Sequence, residues 1–154
     1  MLKYTKIMCA FDFDGNSTAA LLLAGALAEE SNATLHILHI ARVPPQDMDV
    51  PLPFDAHPRW EREARARLAP IAKSTLNAAV NYVIDVRSGV PNIDIVRVAQ
   101  ELAVDLIVIA THGRTSFKHF VLGSVAEHVI REAACPVLVT RATLPPSAPV
   151  PRSP

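Results

Sequence analysis

Two stretches of this 154-residue chain carry residue types and spacings suited to phosphate chemistry. The first runs from Asp105 to Ser124, DLIVIATHGRTSFKHFVLGS. Leu106 to Ile109 is wholly apolar and Ala-Thr-His-Gly follows it, the pattern of a central parallel strand ending at Ala110 or Thr111. Gly113 then opens a loop. Gly123-Ser124 closes the loop just before Ala126, Val129, Ile130 and Ala133, whose spacing of three and four predicts one apolar stripe on a helix. Backbone N–H groups of the loop and of the helix's first turn would converge near the strand end, where the dipole favours a phosphate. The same residues also admit a purely structural reading. Ser124-Val-Ala-Glu127 is a capping box that satisfies the first-turn donors without a ligand, and Gly123 would then serve only a tight turn.

The second stretch is Phe11-Asp12-Phe13-Asp14-Gly15, placed after an apolar strand. It resembles the nucleophile motif of the haloacid-dehalogenase-like phosphatases. In such a site Asp12 attacks phosphorus, Asp14 is general acid and base, and magnesium offsets the like charges. That chemistry needs a further acidic pair after a later strand. Downstream of Asp105 the only carboxylates are Glu127 and Glu132, both on a predicted helix, so the metal would be short of ligands.

Composition narrows the classes. Half of the residues are hydrophobic and only 19% are charged, which suits a single compact domain with a substantial core. Fifteen basic residues balance fifteen acidic ones, so the broad positive footprint of a nucleic-acid binder is missing and any anionic ligand must be held locally. The longest apolar stretch, Ala19 to Ala28, is too short to span a bilayer, and Asp12 and Asp14 interrupt the amino-terminal apolar run before it could serve as a secretory core. The expectation is a cytoplasmic protein with no nucleic-acid and no membrane partner. Cys9 lies in an apolar strand and Cys135 abuts Pro136. Without a CxxC pair, both read as reduced packing thiols, with a disulfide as the alternative. The six histidines show no zinc spacing; His36 and His39 are three apart on a predicted strand and point to opposite faces. Most of the histidines read as surface or edge residues, and no metal site is expected.

The elements that must position these stretches follow from periodicity. Lys6 to Phe11 predicts a first strand, followed by a helix from about Ser17 with Ala20, Leu23, Ala24, Leu27 and Ala28 on its core face. Thr34 to Ile40 predicts a second strand and Asn81 to Val86 a third. Pro91 sits in the first turn of a helix whose core face is Ile95, Val98, Ala99 and Leu102. Leu106 to Thr111 is the fourth strand, Ser124 to Ala134 the last helix, and Val137 to Thr140 a fifth short strand. A charged helix from Arg59 to about Asn77 should kink or break at Pro70. Five prolines between Pro44 and Pro58 and five between Pro145 and Pro154 mark an irregular loop over 42–58 and an extended or disordered tail over 143–154. Residues 1–142 form the domain. Strands alternating with helices call for a doubly wound α/β fold with a parallel sheet covered on both faces. With strand order 3-2-1-4-5, the winding reverses between strands one and four, and the Asp12 loop would face the Gly113–Ser124 loop across the crevice where such folds bind ligands.

Four segments together carry a more specific resemblance. FDFDGNSTAAL, LHILHI, SGVPNIDIVRVAQELAVDLIVIATHGRT and LGSVAEHVI followed five residues later by PVLVTR resemble the universal stress protein family, from about Lys6 to Arg141. The resemblance implies a five-stranded parallel sheet in the order 3-2-1-4-5, a homodimer paired through Val137 to Thr140, and an adenine nucleotide ligand: ATP with its magnesium, ADP or AMP. The nucleotide-binding branch of the family carries glycine, two residues, glycine, nine residues, then glycine and serine or threonine. Here Gly113 matches the second glycine, Arg114 to Leu122 are the nine residues, and Gly123-Ser124 is the closing pair, whereas Ala110 stands in place of the first glycine. A methyl group there would crowd a close backbone approach, or cost about 1–2 kcal/mol if the position were left-handed.

By the same resemblance Asp12 lies near the ribose with Ala10 beside it, the Ile40 backbone meets the adenine edge, and Ile109 flanks the base. Gly113, Gly123, Ser124, Val125 and Ala126 offer N–H groups to the phosphates. Each has a plainer alternative, since Ile40 and Ile109 also suit a core and Asp12 also suits a turn cap. The implied function is a nucleotide-responsive binding module of the stress response with at most slow ATP hydrolysis, because only His112 and Asp12 could serve as a base for water. The alternatives are a dimeric interaction protein that does not bind nucleotide and the Asp12/Asp14 phosphatase.

Overall fold

The computed structural model describes residues 3–43, 53, 55–111 and 122–141. In chain order the elements are β1 (Lys6–Ala10), α1 (Gly15–Ser31), β2 (Thr34–Arg42), α2 (Ala56–Thr75), β3 (Tyr82–Gly89), α3 (Pro91–Glu101), β4 (Leu106–Ala110), α4 (Ser124–Glu132) and β5 (Val137–Thr140). The five strands form one sheet in the order β3-β2-β1-β4-β5, and every pairing is parallel. The expected doubly wound architecture is therefore present.

The strand sequences explain why both faces are covered. Ile7 and Cys9 of β1, Leu35 and Ile37 of β2, and Leu106 and Val108 of β4 pack with Leu21 of α1 and Leu68 of α2. The alternate residues Met8, Leu38, Ile40, Ile107 and Ile109 pack with Val98 of α3 and Val129 of α4. A strand that must bury successive side chains on opposite faces has to be apolar at every position, which is what LIVIA supplies. Cys9 is fully buried, and burial together with the nearby Asp12 charge pushes its thiol pKa up to about 12. Both cysteines are free thiols, so the disulfide alternative does not hold. No helix among the described residues is long and apolar enough to cross a membrane.

Several boundaries differ from the sequence expectation. α1 begins at Gly15, two residues before Ser17, and its buried face is centred on Leu21, Ala24 and Ala28. α2 begins at Ala56 and continues through Pro70 without a break. The donor missing at Pro70 leaves the Ala66 carbonyl without its helical partner, but both residues are exposed and water can replace it. β3 extends to Gly89 because its polar end, Arg87 to Gly89, pairs with Ile40 to Arg42. Arg87 is held there by Asp85 at 3.2 Å and by Glu101 of α3 at 3.0 Å. On α4, Ala126 and Val129 are buried but Ile130 is 44% exposed, so the apolar stripe is narrower than the spacing predicts. The proline-rich loop of 42–58 lies within the described residues only at 42–43, 53 and 55–58, and the tail of 143–154 lies outside them.

Candidate functional site

β1 pairs with β2 on one side and with β4 on the other, so the winding reverses between β1 and β4, where Ala10 is level with Ile109. A cavity of about 290 Å³ opens beyond these strand ends. Ala10 and Asp12 line it from β1 and its loop, Ile40 from the end of β2, Ile109 and Ala110 from β4, and Gly123, Val125 and Ala126 from the start of α4. Ser124 is the first residue of α4 but does not line the cavity. Gly113 and His112 lie outside the described residues.

The turn after β1 is tied by its own side chains. Ser17, only 2% exposed, donates its hydroxyl to Asp12 Oδ1, while Ser17 Oγ accepts the Asp12 backbone N–H at 3.1 Å. Asp12 Oδ1 also accepts the Asp14 N–H at 2.9 Å. These bonds reverse the chain and start α1, so the turn-capping role of Asp12 is real, and the residue still lines the cavity. Across the switch point, Asn16 Nδ2 donates to the Thr111 carbonyl at 3.3 Å, joining the start of α1 to the end of β4.

The start of α4 departs from the capping box. Gly123 is the N-cap, its carbonyl accepts the Glu127 N–H at 2.9 Å, and no side chain among the described residues caps the helix. Ser124 is already helical, one residue too late for the box, and Glu127 instead pairs with Arg131 at 2.7 Å. First-turn donors without a side-chain acceptor suit an anion. Ala110 is a strand residue, and its φ is not among the positive values, so its methyl group carries no left-handed strain.

The remaining wall is aromatic and cationic. The Phe13 ring lies 4.6 Å from the His39 ring, edge-on, and the Arg67 guanidinium from α2 sits 4.1 Å over it. All three residues line the cavity. His39 does share a face with Leu35 and Ile37 while His36 lies on the other, as alternation requires. It is nevertheless no bystander at an edge: its Nδ1 is 2.7 Å from the Phe11 carbonyl oxygen and must carry the hydrogen that is donated. Burial, opposed by that bond and by the Asp12 carboxylate, holds the His39 pKa below its ordinary 6.5. Sequence reasoning placed none of Phe13, His39 and Arg67 in the site. The second phenylalanine of FDF and the last histidine of LHILHI were the available signals, whereas Arg67 is one of several arginines on a solvated helix.

The sequence profile of the universal stress protein family matches residues 3–141. The chain belongs to that family. Universal stress protein MJ0531 of Methanocaldococcus jannaschii is 34% identical over 145 residues, covering 90% of this chain and 82% of the relative. Among solved structures, the family member MJ0577 superposes with a TM-score of 0.70 at 24% identity, covering 94% of this chain and all of the other. A universal stress protein in complex with cAMP superposes with a TM-score of 0.64 at 26% identity, covering 92% of this chain and all of the other. Family membership accounts for the order of the five strands.

Proposed function

We propose that the chain is a stress-response binding module of the cytoplasm that holds an adenine nucleotide, ATP foremost, in the switch-point crevice. One observation carries this reading: the Asp12 turn, the end of β2 at Ile40 and the uncapped first turn of α4 all open onto a single cavity. The family relative solved with cAMP supports an adenine ligand. In this site the Asp12 carboxylate meets the ribose hydroxyls, and the backbone at Ile40 meets the adenine edge. The base lies against Ile109 and Ala10. Gly123, Val125 and Ala126, which line the cavity beside Ala110, offer their N–H groups to the phosphates. The cavity of about 290 Å³ is close to the lower bound of ~300 Å³ for small-molecule pockets.

Asp12 and Asp14 are poorly arranged for phosphatase chemistry. Asp12 Oδ1 is already engaged by Ser17 and by the Asp14 N–H, and among the described residues no group of three His, Cys, Asp or Glu side chains could hold a metal ion. Asp12→Asn is expected to weaken ATP binding about tenfold, the loss of one charge-assisted hydrogen bond of ~1.5 kcal/mol. Asp14→Asn should change it less than about threefold. Both variants are checked by titration calorimetry beside an assay for magnesium-dependent phosphate release from phosphomonoesters. Robust wild-type turnover that disappears in Asp12→Asn would replace the binding module with the phosphatase.

The module is proposed to be a homodimer. β5 is an edge strand with Leu138 37% exposed, and Ile130 of α4 is likewise exposed. Pairing β5 with its copy covers that edge and gives a two-fold assembly. Light scattering should report about twice the 16.7 kDa chain mass. A monomer throughout the micromolar range would refute the dimer.

A further inference from the structure

We propose that His39 is a positioning residue for the crevice, locking the turn from Phe11 to Phe13 so that Asp12 meets the ligand. The inference rests on the reading of the crevice as an adenine-nucleotide site. Phe13 has a φ of 63°, a left-handed conformation that a phenylalanine adopts only when its surroundings hold it there. The contacts that hold it are specific. Its ring is packed edge-on by His39 at 4.6 Å and by Phe11 at 5.3 Å, and the Arg67 guanidinium covers it at 4.1 Å. Cation–π and edge-to-face contacts of this kind favour one ring position over others.

His39 does a second thing at once. The last registered pair of β1 with β2 is Ala10 with Leu38, and the Phe11 N–H still reaches the Leu38 carbonyl at 2.8 Å. As the chain leaves the sheet, the Phe11 carbonyl takes the Nδ1–H of His39 at 2.7 Å. One side chain on β2 therefore fixes the residue before Asp12 through a hydrogen bond and the residue after it through a ring contact. Asp12 is held between them with its carboxylate turned to Ser17 and the Asp14 N–H. The groups whose charge bears on the ring are the Asp12 carboxylate and the Arg67 guanidinium, and the donor is required of the neutral ring as much as of the charged one.

A double-mutant cycle tests the proposal, with ATP as the probe. His39→Phe keeps a ring but removes the donor, and should weaken ATP binding about tenfold. In the Asp12→Asn background the same substitution should cost less than about twofold, because His39 acts through Asp12. His39→Asn places its amide N–H where Nδ1 stood and should bind ATP within about threefold of wild type. If His39→Phe does not fold, His39→Leu, which has no polar atom, is the donor-less variant and should show the same loss. Wild-type affinity in the donor-less variant, or an equal loss with and without the Asp12 carboxylate, would overturn the positioning role while leaving the nucleotide site standing. A wild-type protein that binds no ATP would overturn both.

Discussion

Gly123→Val is expected to weaken ATP binding by about 100-fold, equivalent to ~2.7 kcal/mol, with a circular dichroism spectrum that matches wild type. The reason lies at the start of α4. Gly123 is the N-cap with φ −63° and ψ 149°, a conformation that valine adopts without strain, so the substitution should leave the fold in place. Valine is a poorer N-cap than glycine, at a cost of about 1 kcal/mol at most. In the proposed site a phosphate would approach the N–H groups of Val125 and Ala126 beside this residue, which also lines the cavity, and a branched side chain there would crowd it. Titration calorimetry on the folded variant checks the effect, and unchanged affinity would remove the phosphates from α4.

Ile107→Ala should destabilise the fold by about 2–5 kcal/mol, the range for large-to-small changes in well-packed cores. Ile107 is fully buried on β4, level with Met8 of the central strand and Val137 of the edge strand, under α3 and α4. For a chain of this size each kcal/mol lowers the melting temperature by roughly 2–4 °C, so the midpoint should fall by at least about 4 °C. Leu22→Ala is the matched control. Leu22 is 58% exposed on α1, and its truncation should change stability by no more than about 0.5 kcal/mol. Urea unfolding of the two variants separates the outcomes. Equal effects would mean that β4 is not the buried strand its sequence describes.

The framework was legible because burial leaves a periodic signature. Leu106 to Ala110 had to be apolar throughout to pack on both faces, and α3 shows Ile95, Val98 and Ala99 at helical spacing. What escaped was held by contacts that hydropathy does not record. Arg87 to Gly89 belong to β3 through backbone pairing and the Asp85 and Glu101 carboxylates, not through apolar side chains. Ser124 and Glu127 have capping-box spacing, yet the chain turns one residue earlier, at Gly123, and Glu127 finds Arg131. At the crevice, Gly123, Asp12 and the strand ends line one cavity, a placement that follows from the order of elements. The Phe13, His39 and Arg67 wall does not follow from it, because it depends on a left-handed residue and on where α2 packs on the sheet face.

The measurement that bears most directly on the nucleotide site is titration of ATP into purified protein stripped of any co-purifying nucleotide. The site described here predicts saturable binding of one ATP per chain, weakened by Asp12→Asn and by Gly123→Val in protein that remains folded. No detectable binding at millimolar ATP by a folded wild-type protein, with no adenine nucleotide released from the original preparation on denaturation, would contradict it and leave the interaction protein as the reading of the chain.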